Sequence, residues 1–193
     1  MPQTVDPCLS RFTPISLQAL NAKAEMLERI DNKYIMPAAK LARALTALTD
    51  GFDILEIEGK RAFTYATRYF DDVERRGYYD HHQRRRKRVK ARVRHYVDAD
   101  FSFLEVKLNE QRSMTAKRRL KVDRPVTALD DLCMDFVQHC YSDSYGEDFD
   151  KSLIPVILIE YRRITLVAKE GGERLTIDTG LRFTADCCAL SAP

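Results

Sequence analysis

The feature that most constrains this chain is a run of basic residues at every second position. The alternation extends from Arg86 to Arg94, with apolar residues between its last members (Arg86, Arg88, Lys90, Arg92 and Arg94, with Ala91 and Val93 between). Alternate side chains of a β-strand point to the same face of the sheet. The pattern therefore predicts a strand at about residues 87–97; together with Arg86 just before it, the run places five cations on one face and apolar side chains on the other.

The same alternation recurs along the chain. Further strands are predicted near 53–58, 62–71, 101–109, 114–122, 153–163, 164–169 and 174–179. In these segments, and in the strand-like segment 29–36, charged and polar residues share a face (Asp31 with Lys33, Glu105 with Lys107, Lys117 with Arg119, Tyr161 with Arg163, and Arg174 with Thr176 and Asp178). At least six strands thus combine an apolar face with a charged face rich in cations.

Three helices are predicted between the strands. The first begins at Thr13-Pro14, the second at Pro37, and the third at a capping-box pattern starting at Thr127. The third buries Leu129, Leu132 and Cys133 among other apolar residues, and residues 72–83 form a helical or looping connection. We therefore expect an α+β protein: an antiparallel β-barrel or tunnel with about three flanking helices.

Composition supports one soluble domain. The chain has 193 residues, of which 45% are hydrophobic and 32% charged, and this excludes a disordered chain. Its five cysteines lack CxxC or zinc-ligand spacing, which suits a reducing compartment. Since the sequence shows no secretory signal and no apolar stretch long enough for a membrane span, we expect a cytoplasmic protein.

A cation-rich face allows two interpretations. A sheet with one solvated side explains any single strand, but like charges on neighbouring strands repel each other, and here many strands share the pattern. We therefore expect the charged faces to line an interior. Since buried charges are costly unless they are paired, a triphosphate or polyphosphate is the expected partner, held by charge-assisted hydrogen bonds. The few carboxylates could hold Mg²⁺ or Mn²⁺ between protein and phosphate oxygens.

Several motifs resemble those of bacterial VTC domains, relatives of the polyphosphate polymerase of the vacuolar transporter chaperone complex. They are Phe12-Thr-Pro-Ile-Ser-Leu17, Arg29-Ile-Asp-Asn-Lys-Tyr-Ile35, Tyr69-Phe-Asp71, Lys90-Ala-Arg-Val-Arg-His-Tyr96, Phe103-Leu-Glu-Val-Lys107, Lys117-Arg-Arg119, Tyr161-Arg-Arg163 and Arg174-Leu-Thr-Ile-Asp178. The resemblance implies the fold of the triphosphate tunnel metalloenzymes. It divides the chain into a helical lead-in at 1–28, a tunnel domain at 29–182 and a tail at 183–193.

The resemblance also implies site residues and an activity. The phosphate-binding side chains would be Lys33, Lys90, Arg92, Arg94, Lys107, Lys117, Arg119, Arg163 and Arg174, where Lys90 is added because it shares the charged face. Arg92, Arg94, Lys107 and Arg163 would also act in catalysis. The activity implied is transfer of the γ-phosphate of ATP to a polyphosphate chain, which needs positioning and charge stabilisation rather than a protein nucleophile.

One family element is absent from the sequence. Family members continue into a strand with a Glu-x-Lys motif, which helps to close the barrel and supplies a metal-binding glutamate, whereas residues 182–193 contain nothing similar. We therefore expect an incomplete barrel in a truncated or degenerate relative, or a metal held instead by Asp31 and Glu105. A barrel without this strand has an open edge, through which the chain could pair with another copy.

Three functions stay open on the sequence alone. The first is an enzyme: a polyphosphate polymerase, or a triphosphatase or nucleotidyl cyclase of the same superfamily. The second is a non-catalytic module that binds polyphosphate or inositol phosphates. The third, nucleic-acid binding through the tract from Arg84 to Arg94, is the weakest, because no aromatic stacking platform accompanies the tract in the sequence. A membrane-protein partner is compatible with the resemblance.

Overall fold

The fold is given by a computed structural model that describes residues 6–24, 32–109, 115–123 and 126–186. Five α-helices and eight β-strands lie in these ranges, with two short 3₁₀ turns, Ala38–Lys40 and Val97–Ala99. In chain order the helices and strands are α1 Asp6–Leu9, β1 Thr13–Ile15, α2 Leu17–Ala24, α3 Leu41–Leu48, β2 Phe52–Leu55, β3 Phe63–Asp71, α4 Arg76–His82, β4 Val89–Tyr96, β5 Phe101–Asn109, β6 Thr115–Val122, α5 Asp131–Tyr145, β7 Ile154–Ala168 and β8 Arg174–Ala185.

The chain divides into two compact units. The first unit comprises Met1–Phe63 and Arg162–Thr179, and the second comprises Thr64–Tyr161 and Gly180–Pro193. Strands β7 and β8 each contribute residues to both units. No helix among the described residues has the length and apolar character that a membrane span requires.

The first unit is built on a small mixed sheet. Strand β1 runs parallel to β2, and β2 pairs antiparallel with the end of β7, where Phe52 lies opposite Ala168. Its core contains Leu45 of α3, Ile54 of β2 and Leu166 of β7, all fully buried. The amphipathic helix α3 therefore covers one face of this sheet.

The second unit is built on a sheet in the order β7-β3-β4-β5-β6, in which β3, β4, β5 and β6 pair antiparallel with their neighbours in this run. The register of the central strands is fixed by pairs such as Val93 with Leu104 and Val106 with Arg118. One sheet face packs against α5, and its buried apolar residues come from alternate strand positions and from the helix (Val89, Ala91, Val93, Leu104, Val106 and Leu108 with Cys133, Val137 and Cys140). Because strand side chains alternate, the residues between these positions lie on the opposite face.

Tyr145, the last residue of α5, fixes the end of this sheet. The β4–β5 register stops at Val89 opposite Leu108, so the next pair would be Arg88 with Asn109. The Tyr145 hydroxyl occupies that place: it lies 3.0 Å from the backbone nitrogen of Asn109 and 3.0 Å from the carbonyl oxygen of Arg88. Helix and sheet are thereby joined by hydrogen bonds as well as by apolar packing.

The α+β class and the predominance of antiparallel strands confirm the prediction. The strand expected at 101–109 has those bounds, and those expected at 62–71, 87–97 and 114–122 are found to within two residues at either end. The predicted strands at 153–163 and 164–169 are one continuous strand, β7. Besides the three expected helices, the chain forms two short ones, α1 and α4. The predicted division at residues 28 and 182 stays a prediction.

Two predicted helix starts are wrong. Thr13 and Pro14 lie in β1 rather than in a helix. Strand β1 stands at one end of the strand order, and at such an edge position the missing N–H of proline is tolerated. The third helix is capped by Asp130, whose carboxylate accepts a hydrogen bond from the backbone nitrogen of Cys133 at 2.9 Å, and not by Thr127. Leu132, predicted to be buried, is 66% exposed.

Candidate anion-binding site

The candidate site is the face of the second unit's sheet that points away from α5. Strand β4 contributes Lys90, Arg92 and Arg94, β5 contributes Lys107, and β6 contributes Lys117 and Arg119; we call these six predicted residues the cation face, and Lys121, opposite Phe103, continues the row on β6. The register aligns them across the strands, since Lys90 lies opposite Lys107 and Lys107 opposite Lys117. Six cations thus converge on one area of sheet.

A single buried carboxylate, Glu105, lies at the centre of the cation face. Its register partners are Arg92 on β4 and Arg119 on β6. Arg92 donates from Nε to Glu105 Oε2 at 2.8 Å, Lys117 Nζ lies 2.5 Å from Oε1, and Arg119 Nε lies 3.1 Å from the same oxygen. Because the Glu105 side chain is 0% exposed, its charge acts on these three cations with little screening by water.

The surrounding charges dominate the ionisation of Glu105. Burial by itself would raise the pKa of this carboxyl, but the positive charges of Arg92, Lys117 and Arg94 outweigh burial and lower the pKa to about 2. Glu105 is therefore ionised throughout the physiological range and supplies one negative charge to the site.

One negative charge does not balance six positive ones. Arg94 is only 8% exposed, and its Nε lies 3.4 Å from the Thr67 hydroxyl; in the described part of the chain it forms no ion pair with a carboxylate. Burial lowers the pKa of Lys107, and Arg92 lowers it further. Burial likewise lowers the pKa of Lys117 to about 8, although Glu105 counteracts this shift. Both lysines thus hold their protons less tightly than in water, as expected where positive charge is in excess.

Strand β3 adds polar and aromatic side chains that the sequence analysis did not assign to the site. The Tyr69 hydroxyl accepts a hydrogen bond from Arg92 Nη1 at 2.9 Å, and its ring centroid lies 5.7 Å from the Arg92 guanidinium carbon. Burial would raise the pKa of Tyr69, but Arg92, Arg94 and Lys90 together lower it. The alternation of Tyr65, Thr67 and Tyr69 along β3 was the signal that would have placed them on this face.

The remaining predicted site residues do not belong to the strands of the cation face. Lys33 is exposed in a segment without regular secondary structure, so the predicted strand there is wrong, and Asp31 lies outside the described residues. Arg163 on β7 belongs to the first unit and forms two hydrogen bonds to Asp178, of 2.6 and 2.7 Å. Arg174, also in the first unit, is the exposed first residue of β8. Six of the nine predicted phosphate-binding residues are therefore grouped on one face.

The donor set at Glu105 does not fit a divalent cation. Both carboxylate oxygens contact basic side chains, and no cluster of three or more histidine, cysteine, aspartate or glutamate side chains occurs within residues 6–24, 32–109, 115–123 and 126–186. Mg²⁺ and Mn²⁺ are held by several oxygen ligands. The described part of the site therefore offers cations rather than a set of oxygen ligands.

The fold and this face define an α+β protein with a concentrated surface of basic side chains on a mainly antiparallel sheet. The family model of the VTC domain matches residues 28–192, and the chain belongs to that family. This range includes every residue of the cation face, and family membership indicates a polyphosphate-related function within the tunnel superfamily. No curated protein shows significant similarity to the chain.

Proposed function

We propose that this protein binds triphosphate or polyphosphate on the cation face and transfers the γ-phosphate of ATP to a polyphosphate chain. The observation that carries the proposal is the charge imbalance: six basic side chains converge on a half-buried surface, and among the described residues only one carboxylate, Glu105, forms ion pairs with them. Bringing like charges together is unfavourable unless an anion pairs with them. A chain of phosphates supplies several negative charges in one ligand.

The proposed chemistry depends on positioning. In phosphoryl transfer, charge spreads over the oxygens of the transferring group, and preorganised cations stabilise it without a covalent intermediate. Arg92 is held by Glu105 and Tyr69, and Arg94 lies beside Thr67 and Tyr65, so both guanidinium groups are oriented before a ligand arrives. These arginines and Lys107 would bind the phosphoryl groups, and Arg163 is the fourth proposed catalytic residue.

A second candidate function is a module that binds polyphosphate or inositol phosphates without chemistry. It is favoured by the donor set around Glu105, which is occupied by cations and leaves no carboxylate cluster for Mn²⁺ or Mg²⁺ within the described residues. The two candidates share the binding surface and differ in turnover. Incubation with ATP and Mn²⁺ or Mg²⁺, followed by gel detection of long-chain polyphosphate, separates them.

The binding surface is tested by a double substitution. We expect Arg92→Ala with Arg94→Ala to weaken tripolyphosphate binding at least ~100-fold, because each charge-assisted hydrogen bond contributes ~1.5–3 kcal/mol. The matched control is Arg84→Ala with Arg86→Ala, which removes the same charge from exposed positions before β4. Calorimetric titration measures both variants. An equal loss in the two would mean that net charge alone governs binding, and the assignment of the cation face would be wrong.

A further inference from the structure

Five aromatic side chains form a cluster at one end of the cation face. They are Tyr65, Tyr96, Phe101, Phe103 and Tyr161, which come from strands β3, β4, β5 and β7 of the second unit. The rings of Tyr96 and Phe101 are stacked with centroids 4.7 Å apart, and those of Tyr65 and Tyr161 are nearly parallel at 5.3 Å. Phe101 meets Phe103 edge-on at 5.7 Å.

The cluster continues directly from the cations. Tyr96 follows Arg94 by two positions on β4 and therefore shares its face, and Arg94 lies opposite Phe103 in the register. The Arg94 guanidinium carbon lies 5.6 Å from the Tyr65 ring centroid, and that of Arg119 lies 5.7 Å from the Phe103 centroid. The surface thus changes from charged to aromatic within one step along the strand.

The aromatic cluster is not part of the core under α5. That core is formed by the opposite sheet face, and none of the five rings belongs to it. Tyr96, Phe101 and Phe103 are partly exposed rather than buried. Aromatic rings beside arginines, on a surface that binds phosphates, are the combination that holds a base by stacking and its phosphates by charge.

We propose that this aromatic cluster binds the base and sugar of a nucleoside triphosphate whose phosphates extend along the cation face. The proposal rests on the proposed phosphate site and adds an orientation to it. Arg94 and Arg119 contact the phosphate nearest the sugar, because they adjoin the rings. Arg92, the next residue of the cation face along β4 and about 7 Å from Arg94 at ~3.3 Å per residue, contacts the terminal phosphate, while Lys90 on β4 and Lys107 on β5 lie about 13 Å along their strands and contact a longer phosphate chain. The phosphate that leaves ATP is then the one farthest from the aromatic cluster.

The test compares ligands with and without a base. Affinities of ATP, GTP and inorganic tripolyphosphate are measured by calorimetry for the wild-type protein, for Phe101→Leu and for Tyr96→Leu. We expect both variants to bind ATP and GTP about tenfold more weakly, in line with the contribution of one base–aromatic stack, and to bind tripolyphosphate as tightly as the wild type does. Phe183→Leu, which removes a 60% exposed ring on β8, is the matched control and should change none of the three affinities.

Each remaining outcome has a distinct meaning. If the wild type binds tripolyphosphate and the two variants keep full affinity for ATP, the aromatic subsite is overturned while the phosphate site stands. If the variants weaken ATP and tripolyphosphate equally, the rings only support the sheet, and the subsite is again overturned. If the wild-type protein does not bind tripolyphosphate, the proposed function itself is wrong. The unchanged tripolyphosphate affinity also reports that the leucine variants are folded.

Discussion

The two faces of the sheet formed by β4, β5 and β6 share one backbone but differ in their energetics: one stabilises the fold by packing, and the other concentrates positive charge. On the face covered by α5, Val93, Leu104 and Val106 are buried and contribute to stability by apolar packing. On the other face, Arg92, Arg94 and their neighbours repel each other around Glu105. The comparison teaches that apolar packing and cation placement alternate residue by residue along each strand, so that a substitution on the apolar face can change stability without changing binding.

The apolar face should give the largest effect on stability. Leu104 is fully buried, and Leu104→Ala should lower the free energy of unfolding by ~2–5 kcal/mol, since it removes packed methyl groups and leaves a cavity. Urea unfolding measures the change, and the tripolyphosphate affinity of the folded variant should stay within about twofold. Leu132→Ala, at an exposed position of α5, is the control and should change stability little. If Leu104→Ala affected affinity but not stability, the assignment of the two faces would be reversed.

Glu105 tests the link between the two faces. The folded-state pKa of Glu105 lies near 2, below its usual 4.5, because the cations outweigh the effect of burial. A lowered carboxyl pKa stabilises the folded state above pH 4.5, and this stabilisation is lost as the pH falls from 4.5 towards 2. At ~1.4 kcal/mol per pKa unit the contribution is about 3 kcal/mol.

We therefore expect Glu105→Gln to lower the free energy of unfolding by about 3 kcal/mol at pH 7 and to remove this acid-dependent step. Denaturant unfolding at a series of pH values measures both effects. Tripolyphosphate affinity should rise, because Arg92, Lys117 and Arg119 lose their competing carboxylate. A variant with unchanged stability and weaker anion binding would instead identify Glu105 as a direct ligand-binding or metal-binding group.

Lys117 should give the smallest effect. Raising the pH should increase the contribution of this residue to stability and decrease the affinity for an anion. Burial lowers its pKa to about 8 from 10.5, so above pH 8 the folded protein releases a proton that the unfolded chain keeps. Stability from this group then rises between pH 8 and 10.5. Anion affinity should fall about tenfold over the same range, because one charged contact is lost.

The control for this pH effect is Lys117→Arg, whose side chain stays charged above pH 8. The anion affinity of this variant should therefore fall less with rising pH than that of the wild type. Lys107 and Tyr69 also have lowered pKa values and titrate in both proteins, so the difference between the two titrations isolates Lys117. Calorimetry at pH 7 and above pH 9 provides the measurement. Identical pH profiles for the two proteins would contradict the prediction.

Much of the cation face could be predicted because strand alternation is a local property. The positions of Lys90, Arg92 and Arg94 relative to Ala91 and Val93 follow from a period of two, and that period holds in the structure. The central position of Glu105 could not be predicted in the same way. It depends on the register of three strands, which places Arg92 and Arg119 opposite it, and register is a long-range property of the sheet.

The aromatic cluster also could not be predicted from local sequence patterns. Its rings come from four strands: Tyr96, Phe101 and Phe103 are close in sequence, but Tyr65 and Tyr161 are far from them, and only the strand pairing brings all five together. The strand predicted around Lys33 was wrong for a different reason: Asp31 and Lys33 have the spacing of one strand face, but in the described structure residues 32–36 pair with no strand. Alternation indicates that a strand is possible, and only a neighbour with free hydrogen-bonding groups makes it form.

The Tyr145 hydroxyl at the open end of the β4–β5 pair has a consequence for the thermodynamics of association. By bridging Arg88 and Asn109 it holds the backbone at the site's charged end, so that the peptide chain there is already immobile when a ligand arrives. The entropy still to be lost belongs mainly to the long lysine and arginine side chains. Association at this end should thus be limited by desolvation of the cations, with little refolding of the strands.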